Sequence, residues 1–284
     1  MLKRRTFHLL NRILPPIAVA MLQRVLGNTN VFKGDYDTWE AARSDSEGYD
    51  SERLLRKIID ANREVINADP VRFERDSVIF DTPQPLPFLN SYLLLAHLLN
   101  GRERALRVLD FGGSLGTVYR QFKYVTRGLV PVEWIIVEQP EIVAAGNDEF
   151  TTEELSFIES KAWLPSQLGE DVVLISSVLE IIDRPMELIS RLRESSAKYL
   201  LLDRTPMWRG DRDVLTVCMA AKRISGSYPC WLFSERKLRD LLAADWELVG
   251  EWDALGAPIS FASGTATYKG QFWRRTTALR GVNR

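Results

Sequence analysis

The sequence predicts an α/β fold built around a doubly wound, mostly parallel sheet, and three observations lead to this prediction. From residue 106 onward, short runs of β-branched residues and leucine alternate with helical stretches, as in βαβ units. The first run leads directly into a glycine-rich turn, which is where such a sheet binds ligands. The last two runs are joined by too few residues for a crossover helix, so these strands should pair antiparallel.

Seven strands are predicted, five before a long excursion at 206–233 and two after it. A helix beginning at Pro185 joins the fourth strand to the fifth, since proline suits the first helical turn. Another helix, over 234–244, has Ser234 as its N-cap. The predicted strands are Leu106–Asp110, Trp134–Glu138, Leu155–Ile158, Asp171–Ser176, Tyr199–Asp203, Trp246–Trp252 and Ala266–Trp273.

Residues 31–103 are predicted to form an N-terminal helical cap and an extended connection. Apolar residues recur every three or four positions over 38–67, and 88–99 is again helical. Residues 73–80, between these stretches, are predicted to be extended, and the prolines that follow mark a boundary. The predicted organisation is a basic N-terminal segment at 1–30, the cap at 31–103 and the sheet domain at 104–284.

Composition excludes several classes of protein. The chain has 284 residues, which allows one large domain or two small ones. Lysine and arginine total 37 against 38 acidic residues, so no overall positive charge favours a nucleic-acid partner. The two cysteines, Cys218 and Cys230, supply neither a disulfide framework nor the spacing of a zinc site. We therefore predict no metal.

The N-terminal segment is basic and amphipathic, with six basic and no acidic residues in 1–34. Arg12 and the pair Pro15-Pro16 interrupt its apolar run, which disfavours a cleaved secretory signal or a spanning helix. The segment could lie on an anionic membrane surface, or it could pack on the domain or fray in solvent. The predicted localisation is cytoplasmic, with peripheral contact through residues 1–26 as one of these two alternatives.

The glycine-rich turn spans residues 110–116, Asp-Phe-Gly-Gly-Ser-Leu-Gly, and distinguishes two ligand classes. A dinucleotide turn has the pattern G-x-G-x-x-G, but counted from Gly112 this chain has Ser114 and Thr117 at the second and third glycine positions. S-adenosylmethionine (SAM) carries a methionine ammonium, so it needs an acidic residue beside a short glycine loop. Asp110 supplies that acid, and the pattern favours SAM. The predicted cofactor-binding residues of the turn are Asp110, Gly112, Gly113, Ser114 and Gly116.

Two further strand ends carry polar residues that extend this site. The second strand ends in Glu138, whose carboxylate can accept hydrogen bonds from both ribose hydroxyls. NAD-binding folds use the same device, so Glu138 supports a nucleoside without choosing between cofactors. The fourth strand ends in Ser176 and Ser177, which we expect to border the methionine group and the acceptor.

Several unusual strings carry a resemblance to a known family. The sequence resembles class I SAM-dependent methyltransferases, and more narrowly a bacterial family encoded among surface-polysaccharide and O-antigen biosynthesis genes. The resemblance covers about residues 31 to 252 and implies a Rossmann-like methyltransferase sheet, SAM as cofactor and a glycan context. One departure is Glu180-Ile181, where a polar-aromatic pair is expected. The strings, in addition to the glycine-rich turn, are Phe32-Lys33-Gly34-Asp35-Tyr36, Gly48-Tyr49-Asp50, Glu74-Arg75-Asp76-Ser77, Val137-Glu138-Gln139-Pro140, Ser176-Ser177-Val178-Leu179, Asp203-Arg204-Thr205-Pro206 and Tyr228-Pro229-Cys230-Trp231.

The predicted function is O-methylation of a glycan or sugar-linked intermediate, and a hydroxyl acceptor needs a base. The two histidines, His8 and His97, are not predicted near the carboxyl edge of the sheet, so the base should be a carboxylate or tyrosine. The candidate bases are Asp203, Glu74, Asp76 and Tyr49. The candidate acceptor-binding residues are Arg75 and Arg204 for a phosphate or carboxylate, and Tyr228 and Trp231 for a sugar ring.

Two alternatives stay open at this stage. Ion pairing could explain the charged candidates, and loop packing the aromatic ones, without any catalytic role. For the whole protein, an NAD-dependent sugar-modifying oxidoreductase is disfavoured by Ser114 and Thr117, and by the expectation that no helix carries a Tyr-x-x-x-Lys pair. A non-catalytic subunit with the same fold is not distinguished by sequence, because a binding fold can persist without its chemistry.

Overall fold

A computed structural model of the chain describes residues 30–48, 51–68, 71–75, 77–83, 86–101, 104–161, 168–220 and 226–276. Its strands are β1 Val31–Tyr36, β2 Phe73–Arg75, β3 Val78–Phe80, β4 Leu106–Phe111, β5 Val132–Glu138, β6 Leu155–Glu159, β7 Val172–Ser176, β8 Tyr199–Trp208, β9 Val214–Met219, β10 Ser227–Ser234, β11 Trp246–Asp253, β12 Ile259–Phe261 and β13 Gly264–Arg275. The helices are α1 Trp39–Ser44, α2 Ser51–Ile66, α3 Pro87–Leu99, α4 Thr117–Val125, α5 Pro140–Glu149, α6 Pro185–Glu194 and α7 Glu235–Leu242, with a 3-10 turn at Leu179–Ile181.

The main sheet confirms the predicted Rossmann-like, doubly wound topology. Its central part has the order β6-β5-β4-β7-β8, and every neighbouring pair in it is parallel. On the far side of β8, β13 pairs antiparallel with β8, and β11 pairs antiparallel with β13. All seven predicted strands are therefore present, and the last pair is antiparallel as predicted.

Helices cover both faces of this sheet because its strands are apolar on both sides. Alternate residues such as Val108 and Leu174 face a core that includes residues of α3 and α4. The intervening residues, such as Leu109 and Ile175, face a second core that includes residues of α6 and α7. His97 is buried on α3, as expected for a histidine on an apolar face.

Residues 206–233 are not an excursion outside the sheet, so this prediction is wrong. β8 continues to Trp208, and β9 and β10 form an antiparallel hairpin on which β1 adds as a further strand. With β12, the sheet has 11 strands among the described residues, rather than the seven predicted. We call β1, β9 and β10 the arm.

The arm stands over the carboxyl end of β7. Its strand β10 pairs in parallel with the last two residues of β8, Met207 and Trp208. Since Met207 pairs on its other side with β13, β10 occupies the side of β8 that β7 occupies lower down. Helix α1 packs on the arm, where Trp39 stacks against Trp231 with ring centroids 6.5 Å apart. The arm therefore forms a wall above the edge at which the sequence places the site.

Candidate functional site

Four predicted site residues lie on one face of the sheet, at the carboxyl ends of four neighbouring strands. Strand alternation places Glu138 of β5, Asp110 of β4, Ser176 of β7 and Asp203 of β8 on the face covered by α3 and α4. Ser176 is the direct neighbour of Asp203 in the parallel ladder. The structure thus brings these four side chains together along one edge.

The glycine-rich turn approaches this row closely enough to exclude side chains at two positions. At Gly112, φ is +73° and an added Cβ would lie 2.3 Å from a methyl group of Val178. At Gly113, an added Cβ would lie 2.6 Å from the carboxylate of Asp110. The turn ends at Gly116, which has a φ of +94° and is the N-cap residue of α4. A side chain at 112 or 113 would therefore overlap Val178 or the Asp110 carboxylate, so only glycine lets the turn pack directly against Asp110.

Asp110 is a buried acid, only 1% exposed, with one hydrogen bond to the described part of the chain. Its Oδ2 accepts from the indole Nε1 of Trp134 at 3.0 Å. Burial raises the pKa of Asp110 to about 7, and the nearby charge of Glu138 adds to this, while Trp134 and Arg204 oppose it. The site therefore holds a carboxylate that a cationic ligand group would stabilise.

Glu138 is fixed by two backbone donors at the mouth of the turn. The N–H of Ser114 donates to Oε1 at 3.1 Å, and the N–H of Gln139 donates to Oε2 at 2.9 Å. Burial raises the pKa of Glu138, although both hydrogen bonds act in the opposite direction. A carboxylate oxygen can accept more than one hydrogen bond, so ribose hydroxyls could still bind here.

Asp203, Ser176 and Arg204 form a connected network. Asp203 accepts from Ser176 Oγ at 3.0 Å and from the indole Nε1 of Trp252 at 3.2 Å. Ser176 Oγ in turn accepts from Arg204 Nε at 3.2 Å. Burial raises the pKa of Asp203, and the positive charge of Arg204 and both hydrogen bonds oppose the rise. Both carboxylate oxygens accept hydrogen bonds and, unlike Glu138, the residue is only 1% exposed, which favours a positioning role over proton removal.

The residues after β7 continue the edge toward the arm. Ser177 has φ of +59°, and its hydroxyl donates to Glu180 Oε1 at 3.1 Å. Glu180 is buried in the 3-10 turn, which packs against β10. The resemblance left the role of Glu180 open, and the structure places it between the glycine turn and the arm.

The other candidate residues lie in two separate places. Glu74, on β2, accepts from Ser77 N at 2.8 Å and from Thr117 Oγ1 at 2.7 Å, so it fastens the β2–β3 hairpin to the start of α4. Arg75 holds its guanidinium 5.6 Å from the ring centroid of Phe80 in the same hairpin. Asp76 and Tyr49 lie outside the described residues.

Tyr228 and Trp231, the predicted sugar-stacking residues, both belong to β10 of the arm. Trp231 is stacked on Trp39, and Tyr228 lies beside Cys218 across the hairpin. Cys218 and Cys230 are free and buried, and burial raises the pKa of Cys218 to about 11. These thiols are therefore protonated at neutral pH.

Two indole donors, Trp134 and Trp252, complete the buried carboxylate sites and were not identified from sequence. Both tryptophans occur at the spacing of ordinary core residues in their strands, so periodicity alone does not distinguish a hydrogen-bond donor from a packing residue. The sequence signal that could have identified them is that a buried Trp N–H needs an acceptor.

The expectation that no helix carries a Tyr-x-x-x-Lys pair is wrong, because helix α4 contains Tyr119 and Lys123. Tyr119 donates to Glu154 Oε2 at 3.1 Å, and Lys123 donates to Glu154 Oε1 at 2.8 Å. Glu154 precedes β6, at the amino edge of the sheet. Both side chains of the pair are therefore bound to the same carboxylate.

Two features are absent from the described residues. They contain no cluster of three or more histidine, cysteine or acidic side chains placed to hold a metal ion. Within the same residues, none of the helices combines the length and apolarity needed to cross a membrane.

Comparison with known proteins gives similarities of fold. No family model matches the sequence, and no curated protein matches it. Among solved structures, magnesium protoporphyrin IX methyltransferase from Synechocystis PCC 6803 with bound SAM is 12% identical, with 81% of this chain and 99% of that chain covered and a TM-score of 0.44. A SAM-dependent methyltransferase from Clostridium acetobutylicum ATCC 824 is 8% identical over 65% and 89%, with a TM-score of 0.43. Mitomycin 7-O-methyltransferase is 16% identical over 69% and 59%, with a TM-score of 0.41.

Proposed function

We propose that this chain is a SAM-dependent methyltransferase. The observation that carries the proposal is the buried carboxylate of Asp110, which packs directly against Gly113 of the turn and accepts one hydrogen bond from described residues. An ammonium group of a ligand bound at the turn would restore the charge balance of this buried anion. The next strand ends in Glu138, at the place where a ribose is bound in doubly wound sheets.

These residues fit the methionine and ribose groups of SAM. Asp110 would hold the methionine ammonium, Glu138 would accept from the ribose hydroxyls, and the turn at Gly112 and Gly113 would let the ligand lie close to the backbone. When bound, SAM supplies an electrophilic methyl group on a sulfonium centre. The chain then has to place an acceptor in line with that methyl group, and alignment alone supplies much of the rate.

We further propose that the acceptor is a glycan or sugar-linked intermediate, methylated on oxygen. The family resemblance supports this, together with Tyr228 on the arm above β7. Trp231 lies on the opposite face of β10, stacked on Trp39. An aromatic face such as that of Tyr228 packs well against sugar rings. Asp203 and Glu74 are buried as well as hydrogen-bonded at both oxygens, so we assign them to positioning Arg204 and the β2–β3 hairpin.

Calorimetric titration tests the cofactor. We expect SAM and S-adenosylhomocysteine (SAH) to bind with micromolar affinity, because the site offers charge-assisted contacts at two places. NAD should not bind measurably. Binding of NAD without SAM would overturn the proposal and restore the oxidoreductase alternative.

Two further measurements test the acceptor. Product analysis with isotopically labelled SAM should show a methyl group transferred to a sugar hydroxyl. A deletion strain should lose one O-methyl sugar from its surface polysaccharide. If the polysaccharide is unchanged and a methyl group is missing from a protein, lipid or amine instead, the glycan assignment is wrong.

We also propose that residues 1–26 localise the protein to the inner face of the cytoplasmic membrane. This segment lies outside the described residues, and the support is its charge, six basic and no acidic residues in 1–34. A chain starting at residue 27 should keep the SAH affinity of the parent but bind vesicles containing phosphatidylglycerol more weakly. A full-length variant with Lys3, Arg4 and Arg5 changed to glutamine is the matched control for charge without truncation. It should also bind these vesicles weakly.

Salt gives a second check on this electrostatic attachment. Raising the ionic strength should release the full-length protein from the vesicles, because exposed charges are screened over about 8 Å at physiological salt. A truncated chain that no longer folds or no longer binds SAH would show that the segment is structural.

A further inference from the structure

Asn90, in the first turn of helix α3, is a buried polar residue whose side-chain oxygen the fold leaves unpaired. It lies on the inner side of the helix with Leu89 and Leu93, and only 6% of the residue is exposed. Its Oδ1 accepts no hydrogen bond from the described part of the chain. A buried amide oxygen without a donor costs stability, so its presence in a folded protein calls for an explanation. A ligand that donates to this oxygen supplies one.

The first turn of α3 stands at the level of the polar row along the sheet edge. Phe88 stacks on Trp252 with ring centroids 6.1 Å apart, and the indole Nε1 of Trp252 donates to Asp203 at 3.2 Å. At the other end of the helix, Asn100 accepts from Lys198, which directly precedes β8. Helix α3 therefore descends from the carboxyl end of β8 toward its amino end, and its first turn lies beside the candidate site.

Helical periodicity gives the direction of the Asn90 side chain. Phe88 and Tyr92 lie on the side of α3 that faces β11, where both rings stack on Trp252. At about 100° per residue, Asn90 is rotated by roughly 160° from either of them. The side chain therefore points beneath the helix and away from β11, toward the strands β7 and β4, which share a core with α3. Asn90 thus faces the side of the sheet on which the polar row lies.

This position suits the acceptor better than the cofactor. The residues that we assign to the cofactor, Asp110, Glu138 and the glycine turn, all belong to the sheet domain. Methyl transfer is an in-line displacement, so the acceptor oxygen approaches the methyl group from the side opposite the sulfur. A cofactor held against the turn and the strand ends leaves that side to the N-terminal cap and the arm. Asn90 belongs to the cap.

We propose that Asn90 is an acceptor-binding residue, whose Oδ1 accepts a hydrogen bond from a hydroxyl group of the acceptor. The inference rests on the proposed function and specifies the chemistry of its acceptor, an uncharged group with hydroxyls, such as a sugar ring. An amide binds a hydroxyl without the cost of burying a charge. A site built to bond a hydroxyl also rejects an analogue that lacks it, because the amide is then left unpaired. Asn90 therefore contributes to specificity.

Complementation of the deletion strain tests the role of this side chain. The parent, Asn90→Leu, Asn90→Ala and Ser91→Ala should be expressed at equal levels, and the O-methyl sugar of the surface polysaccharide should be measured. We expect at least a tenfold loss for both Asn90 variants. Ser91→Ala is the matched control and should restore the methyl group fully, since Ser91 is exposed on the same turn and its hydroxyl donates to the carbonyl of Pro87 at 2.6 Å. Both purified Asn90 variants should bind SAH within about twofold of the parent.

Stability provides a readout that a structural asparagine would move in the opposite direction. Asn90→Leu replaces an unpaired polar group with an apolar group of similar size, so the ligand-free variant should be more stable than the parent. Its thermal midpoint should rise by at least about 2 °C. An asparagine that holds the helix in place would give a lower midpoint on substitution.

Four results would contradict the inference, and they differ from one another. Full restoration of the O-methyl sugar by both Asn90 variants would show that the side chain contacts no acceptor. A tenfold loss of SAH affinity would assign it to the cofactor instead. A lowered midpoint together with loss of SAH binding would make it structural. If the parent binds SAH but restores no O-methyl sugar, the glycan acceptor of the proposed function is wrong, and the inference fails with it.

Discussion

Asp110→Ala is expected to weaken SAH binding by at least tenfold at pH 8. The substitution removes a charge-assisted hydrogen bond in a buried site, worth roughly 1.5–3 kcal/mol. The parent should also show a pH dependence that the variant lacks. Since burial raises the pKa of Asp110 to about 7, the ligand-free site is protonated below that pH, and binding an ammonium first requires loss of the proton.

SAH affinity of the parent should therefore rise as pH increases toward about 7, by up to tenfold per pH unit, and level off above it. Asp110→Asn should remove most of this slope. Glu138→Gln is the matched control, because it weakens binding through the ribose while keeping the slope that Asp110 produces. A slope that persists in Asp110→Asn would place the titrating group elsewhere.

The raised pKa of Asp110 also predicts how the stability of the ligand-free protein depends on pH. The pKa of Asp110 is about 7 in the folded state, against about 3.9 for an unfolded chain, so the folded state binds the proton more tightly. Stability should therefore fall as pH rises from about 4 to 7, by on the order of 3–4 kcal/mol from this group. Urea unfolding of the parent and of Asp110→Asn at pH 5 and 8 measures the difference. Added SAH should restore the stability of the parent at pH 8.

Gly113→Ala is expected to abolish most SAH binding while the chain still folds. The new methyl group would lie 2.6 Å from the Asp110 carboxylate, whose Oδ2 also accepts from Trp134. Relieving that overlap costs roughly 1–3 kcal/mol and displaces the carboxylate that we assign to the ligand ammonium, so affinity should drop at least tenfold. Thermal unfolding checks the fold, and calorimetry with SAH checks the site.

A control in the same turn separates crowding from general damage. Ser114→Ala keeps the backbone N–H that donates to Glu138 and removes only a hydroxyl, so its SAH affinity should stay within about twofold of the parent. If Gly113→Ala binds SAH as well as Ser114→Ala does, the position of the Asp110 carboxylate does not matter for binding.

The sequence predicted the central sheet and the row of polar strand ends because both depend on local patterns. Each parallel strand is a short apolar run, and strand alternation then places Asp110, Glu138, Ser176 and Asp203 on one face. The glycine turn follows β4 directly, so the sequence also predicted that the turn lies beside Asp110. What the sequence cannot show is which of these residues accept from buried indoles, because Trp134 and Trp252 have the periodicity of core residues.

The arm, and a bulge in β8 where Asp203 and Arg204 together oppose Gly270 of β13, escaped prediction for a different reason. β1 pairs with β9 far along the chain, and β10 contains Pro229, which reduces the strand signal of its run. The bulge at Asp203 and Arg204 becomes visible only from the register of β8 against β13, which no local pattern sets. Both features depend on long-range pairing, and both decide which side chains surround the candidate site.

The pairing of β1 with β9 also has a consequence for synthesis on the ribosome. β1 ends at Tyr36 and β9 begins at Val214, so the first strand emerges about 180 residues before its partner. At translation rates of about 5–20 residues per second, it waits on the order of 10–40 s as an unpaired edge. Lys33 and Asp35 are exposed on β1, and charged side chains on a strand oppose pairing with other chains. Asp35 later pairs with Arg212, so the charge that protects the nascent strand joins β1 to the segment before β9 in the folded protein.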